Sequence, residues 1–143
     1  MRGFDLRERS HIDRYLQFTG RASVRGLIYD LGTYPALVHG EGCVIGELYK
    51  ISDPVSLLTL VDAIEDFRPN EPTRSQYVRL GASVSAHDRR TVTAWVYFYN
   101  RNLSDAAWIP SGDYVAHVRR CCPWQSRVFR GPRGEPDTRS FGL

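Results

Sequence analysis

Ala22-Ser23-Val24-Arg25-Gly26-Leu27-Ile28-Tyr29 is rich in β-formers and runs into Asp30-Leu31-Gly32-Thr33-Tyr34-Pro35. A second β-rich run follows, Cys43-Val44-Ile45-Gly46-Glu47-Leu48-Tyr49. The middle segment reads as a turn, with Gly32 free to take positive φ and Pro35 fixing the exit. Gly26-x-x-Tyr29 and Gly46-x-x-Tyr49 echo each other, but two copies do not make a repeat array. A pair of antiparallel strands over 22–29 and 43–49 is the simpler expectation.

Working outward, Asp53-Pro54-Val55-Ser56-Leu57-Leu58-Thr59-Leu60-Val61-Asp62-Ala63-Ile64-Glu65 carries the clearest helix signal. Asp53 suits the cap and Pro54 the first helical position, while Leu57, Leu60, Val61 and Ile64 form one apolar stripe. A polar loop with Pro69 and Pro72 ends it. Two further strands are expected over 76–84 and 92–99, joined by the hairpin loop Ala86-His87-Asp88-Arg89-Arg90. Residues 10–18 place Ile12, Tyr15 and Leu16 at helical spacing, with Ser10 as cap. Ile109-Pro110-Ser111-Gly112-Asp113-Tyr114 reads as a turn into a last short element. Four strands around one good helix predict an α+β fold with a small, mostly antiparallel, curled sheet or β-barrel and one main helix beside it.

The chain has 143 residues, 42% of them apolar and 24% charged. That describes one domain with enough apolar side chains for a core without disulfide staples. No run approaches the ~18 apolar residues of a membrane helix. Charges also occupy the N-terminus where a signal peptide would be apolar, so the expected compartment is cytoplasmic. The net charge of +3 is unevenly placed. Residues 119–143 hold six Arg against two acids, and residues 1–118 hold 13 basic groups against 14 acidic ones. The domain is therefore expected over 1–118, with a basic, Pro- and Gly-containing irregular tail over 119–143. A charged tail end is more often solvated than bound to nucleic acid, so nucleic-acid binding is disfavoured.

Cys43, Cys121 and Cys122 make no CxxC or zinc spacing, and an odd count without a framework fits a reducing compartment. Cys43 reads as a small core residue within a strand. The His residues at 11, 39, 87 and 117 are too far apart in sequence to suggest a metal site. There is no G-x-S-x-G, phosphate loop or dinucleotide fingerprint. The sequence thus calls for no metal and no cofactor.

Five blocks in order resemble the gamma-glutamylcyclotransferase-like family in its small bacterial branch. They are Gly26–Leu37, Val44–Tyr49, Val61-Asp62-Ala63-Ile64-Glu65, Tyr77-Val78-Arg79 and Ala94-Trp95-Val96-Tyr97. The resemblance implies a small closed or nearly closed β-barrel with a cavity at one mouth, and a transferase or lyase type of reaction on a small-molecule γ-glutamyl substrate. The α-amine of the γ-glutamyl group attacks its own γ-carbonyl, releasing 5-oxoproline and an amine or amino acid. Members of the family begin with a strand ending in Tyr-Gly-Ser/Thr-Leu, whose backbone groups hold the glutamyl end. Met1-Arg2-Gly3-Phe4 stands where that motif ends, so the chain reads as short by this strand. An opened barrel with unpaired edges is the expected consequence, and copies of the chain pairing along that edge would give a homo-oligomer. The loss of donors to an oxyanion costs ~3 kcal/mol for one donor.

By that resemblance Glu65 is the catalytic acid/base, whereas composition alone makes it a solvated acid at a helix end. The helix C-terminus and burial both raise the pKa of such a carboxyl. The family follows this Glu with Gly. Here Asp66 follows, and a second anion is expected to raise it further. Tyr77 and Tyr114 match tyrosines that line the family's pocket, and Gly32, Tyr34 and Pro35 match a loop at its mouth. Asp62 reads as a structural acid, and Trp95 and Tyr97 as core packing. The alternative from another class is a catalytically impaired barrel acting as a small-molecule-binding or interaction module.

Overall fold

The computed structural model describes residues 12–121. The long strands β1 (Leu16–Asp30) and β2 (Pro35–Ile51) form a hairpin, followed by helix α1 (Pro54–Ile64) and a single 3-10 turn at Pro72–Arg74. Strands β3 (Tyr77–Ala86) and β4 (Thr91–Tyr99) make a second hairpin. A two-residue strand, β5 (Ala107–Trp108), leads into helix α2 (Tyr114–Cys121). The strand order is β2-β1-β3-β4, all antiparallel, with β5 also on β1. This is the expected α+β class.

Both strands of the first hairpin outrun the expectation of 22–29 and 43–49, because they pair from Leu16↔Ile51 to Asp30↔Pro35 with two register shifts. The helix expected over 10–18 is corrected by the same pairing. Residues 12–13 are helical, Tyr15 N–H closes a turn onto the Ile12 carbonyl at 2.9 Å, and β1 starts at Leu16. A waiting edge on β2 gives Leu16, Gln17 and Phe18 a ladder of partners that a three-turn helix lacks. The Ser10 cap lies outside the described residues, as do the chain start and the tail beyond Cys121. Helix α2 itself runs three residues past the boundary expected at 118.

β3 meets β1 over only three residue pairs, Ala22↔Ala86 to Val24↔Val84, and further along β1 the edge is taken by β5. The sheet is therefore curled but unclosed. Its concave face holds one core, with Val24, Ile28, Val44, Val84, Val96 and Phe98 all buried. The opposite face of the second hairpin packs under α1, where Ile12, Leu57 and Val61 form a smaller core beside Tyr97. The two cores follow from strand alternation, since Val84, Val96 and Phe98 point one way and Tyr77, Arg79 and Tyr97 the other.

Helix α1 begins as expected. Asp53 Oδ1 accepts from the Ser56 N–H at 3.1 Å, and Pro54 occupies the first turn. Its inward stripe is narrower than predicted, because Leu57 and Val61 are buried while Leu60 and Ile64 are 38% and 41% exposed. The predicted Ile109–Tyr114 turn crosses to the first hairpin. Ile109 N–H binds the Ile28 carbonyl and Ile45 N–H binds the Gly112 carbonyl, both at 2.9 Å. Gly112 is required there: its φ is +68°, and a Cβ would sit 2.0 Å from the Cys43 carbonyl oxygen.

Candidate active site

Glu65 is the C-cap residue of α1, its N–H bound to the Val61 carbonyl at 2.9 Å. The chain then turns sharply through Asp66 at φ +47°, a left-handed conformation that Gly takes freely and Asp tolerates. That turn folds the helix end onto the start of β3. Gln76 N–H donates to the Asp66 carbonyl at 3.1 Å and Tyr77 N–H to the Glu65 carbonyl at 3.3 Å. Backbone geometry thus sets Glu65 beside Tyr77.

A third segment closes on this pair. In the β1–β2 turn Gly32 takes φ +81°, and its N–H donates to Asp30 Oδ1 at 2.7 Å. The Tyr77 hydroxyl donates to the Pro35 carbonyl at 2.8 Å, and Gln76 Nε2 donates to the Tyr34 hydroxyl at 2.8 Å. Tyr77 packs edge-on against Tyr34 and Tyr99, with centroids 6.4 and 5.2 Å away.

Together these elements wall a cavity of about 780 Å³, lined by Glu65, Tyr77, Tyr34, Pro35 and Tyr114 among apolar side chains that include Leu57, Val61 and Ile64. Five of the six sequence-derived site residues therefore share one cavity. Gly32 does not line it and serves the turn. Gln76, Tyr99 and the helix residue Leu58 were not singled out from sequence. Gln76 and Tyr99 are the first and last residues of the strands expected over 76–84 and 92–99, and alternation alone does not say which strand ends meet at a cavity.

The electrostatics single out Glu65. Burial pushes its carboxyl up to about 7, because a low-dielectric wall penalises the anion. Asp66 is not the cause, contrary to expectation. Its carboxylate turns away to Arg68, 3.1 and 3.2 Å from Oδ1. Burial first, and then the Glu65 charge, push the Tyr77 phenol far up, so Tyr77 remains a hydrogen-bond donor.

Around the site, Asp62 ties α1 to the sheet. Its Oδ2 lies 3.0 Å from Arg79 Nη1, and its Oδ1 accepts from the Tyr97 hydroxyl at 2.7 Å. Arg79 also lies over the Phe67 and Trp95 rings. Trp95 is thus no core residue, being 48% exposed and covering the guanidinium from outside. Cys43 likewise is exposed rather than core, since the outward face of β2 carries it. Among the described residues no His/Cys/Asp/Glu group of three is placed to hold a metal, and no helix is long and apolar enough to cross a membrane.

A family profile described as "Gamma-glutamyl cyclotransferase, AIG2-like" matches residues 1–116. The chain belongs to this family. It is 33% identical over 91 residues to a Vibrio cholerae protein named for gamma-glutamylcyclotransferase, covering 64% of this chain and 68% of that one. It is 33% identical over 88 residues to the Escherichia coli gamma-glutamylcyclotransferase family protein YtfP, covering 62% and 66%. The solution NMR structure of Escherichia coli ytfP superimposes with a TM-score of 0.56 at 29% identity, over 76% of this chain and 85% of that one. The curled antiparallel sheet with its helices is therefore the gamma-glutamylcyclotransferase-family fold. Glu65, Tyr77 and the Tyr34–Pro35 loop come together on it at one cavity.

Proposed function

We propose that this chain is a gamma-glutamylcyclotransferase that releases 5-oxoproline from a γ-glutamyl amine or amino acid, with Glu65 as its acid/base. The observation that carries this reading is a carboxyl poised near 7 in the wall of a largely apolar cavity. The reaction is intramolecular, so proximity is already supplied. The protein has to move protons and hold the reacting end in place. The Glu65 carboxylate takes a proton from the substrate α-amine as its nitrogen bonds to the γ-carbonyl carbon. The same carboxyl then returns the proton to the leaving nitrogen as the C–N bond breaks. A group titrating near the working pH serves both steps.

Tyr34 supports the carbonyl side of this scheme. Its oxygen accepts from Gln76, leaving its own hydrogen to donate into the cavity. Tyr77 and Pro35 brace that loop against Glu65. The apolar walls from α1 exclude water and strengthen each of these contacts. The family indicates a small-molecule substrate. The cytoplasm as compartment and the identity of the leaving amine belong to the proposal.

The test is 5-oxoproline release, followed by mass spectrometry, from a panel of γ-glutamyl amines and γ-glutamyl dipeptides. The parent chain is expected to release it, and folded Glu65→Gln to release none. Full release by Glu65→Gln would remove Glu65 from the mechanism. A folded parent chain that binds members of the panel without turning them over would leave the small-molecule-binding module as the function.

A further inference from the structure

Helix α2 and the end of β1 carry a second cluster of reactive groups, none of which lines the Glu65 cavity. His117 Nε2 lies 3.1 Å from Asp30 Oδ2 at the end of β1, and Cys121 Sγ lies 3.8 Å from His117 Nδ1, one helical turn on. The Cys121 thiol is exposed, while the His117 and Asp30 side chains are only 22% and 23% exposed. Nucleophile, base and orienting carboxylate therefore stand in line. Asp30 is held in turn, since its Oδ1 accepts from Gly32 N–H at 2.7 Å.

From this geometry we propose that Cys121 is a thiol-exchange site at which His117, oriented by Asp30, is the base. The carboxylate accepts Nε2–H and so leaves the Nδ1 lone pair facing the thiol. That base is needed because the C-terminal end of a helix gives an anion no support. Arg119 and Arg120, both exposed on the last turn, favour a small anionic disulfide as co-reactant. The thiol proton passes to His117 Nδ1 and Cys121 Sγ attacks one sulfur of R–S–S–R. The Cys121–S–S–R bond forms as the original S–S bond breaks, and the departing thiolate takes the proton from His117 as R–SH.

The test uses dithiodipropionate, which carries no γ-glutamyl group, on the full chain with Cys122 replaced by Ser. Modification at Cys121 and at Cys43 is followed separately by peptide mass spectrometry. Cys43 is also exposed but has no histidine bond among those the structure shows for the described residues, so it is the internal control. At neutral pH Cys121 is expected to react about a hundredfold or more faster than Cys43, the lower end of what a positioned base contributes. His117→Asn is expected to bring the two rates together. Asp30→Asn keeps the acceptor for Gly32 but presents an amide to Nε2, which turns the tautomer and slows Cys121 alone. At strongly alkaline pH, where solvent removes the proton, parent and variants are expected to converge. Equal neutral-pH rates at Cys121 and Cys43 in the parent, or rates at Cys121 untouched by both variants, would overturn the proposal. A variant that unfolds is recognised by the loss of its cooperative thermal transition, and the other variant then decides.

Discussion

At the scale of single residues, Glu65 sets the pH behaviour. Its carboxyl is pushed by burial from 4.5 to about 7, and the proposed first step needs the carboxylate. The rate limb of kcat/KM against pH is therefore expected to fall below about 7, and this limb should move or vanish in Glu65→Asp. The same shift has a stability consequence of definite sign. A carboxyl raised in the folded state binds its proton more tightly there than in the unfolded chain. Stability is thus fullest below 4.5 and declines as pH rises to about 7. The decline is at most about 3 kcal/mol for a shift of this size. Glu65→Gln, which cannot ionise, is expected to melt higher than the parent at pH 8 and to gain nothing at pH 4, read by thermal denaturation at the two pH values. Glu65 was legible as a helix-end acid and, through the resemblance, as a catalytic one. That burial raises its carboxyl was expected too, but which groups build the wall was not legible, because it includes Tyr34 and Tyr77 from distant segments.

At the scale of elements, α1 is joined to the second hairpin by the Asp62–Arg79 pair, whose side chains are 14% and 19% exposed. Removing one member leaves the other in a poorly solvated place. Arg79→Ala is expected to cost about 3 kcal/mol in denaturant unfolding, and pairing it with Asp62→Asn should recover part of the loss. The crossing at Gly112 is equally constrained. Gly112→Ala places a methyl 2.0 Å from a backbone oxygen at a positive φ. The expected loss is about 2 kcal/mol or more, with the β2 contact at Ile45 opening first in hydrogen exchange. The α1 limits were readable because Asp53, Pro54 and the apolar spacing are local signals. The lengths of β1 and β2 were not. Extending them from 22–29 and 43–49 to 16–30 and 35–51 depends on each strand having the other as an edge. The helical spacing at 12–16 lost to that pairing.

At the scale of the whole molecule, the curl of the sheet depends on the short ladder between Val24 and Val84, where Val84 is fully buried. Val84→Ala is expected to cost about 2 kcal/mol, lowering the denaturation midpoint. Because the second hairpin also backs the small core under α1, the variant is expected to lose cavity order with stability, so that a bound γ-glutamyl ligand would raise its midpoint less than the parent's. By itself the sequence determined the α+β class, the central helix with its cap, the two hairpins and the family, because these rest on periodicity, turn residues and local motifs. Only the tertiary structure decided between a curled sheet and a closed barrel, and decided that Gly32 stays out of the cavity that Tyr34 and Pro35 line. It also decided that Trp95 and Cys43 face outward, and that His117 on α2 meets Asp30 from the end of β1. The physical reason is the same in each case. Local spacing says which way a side chain leaves its own strand or helix, but not which distant element will be there to meet it.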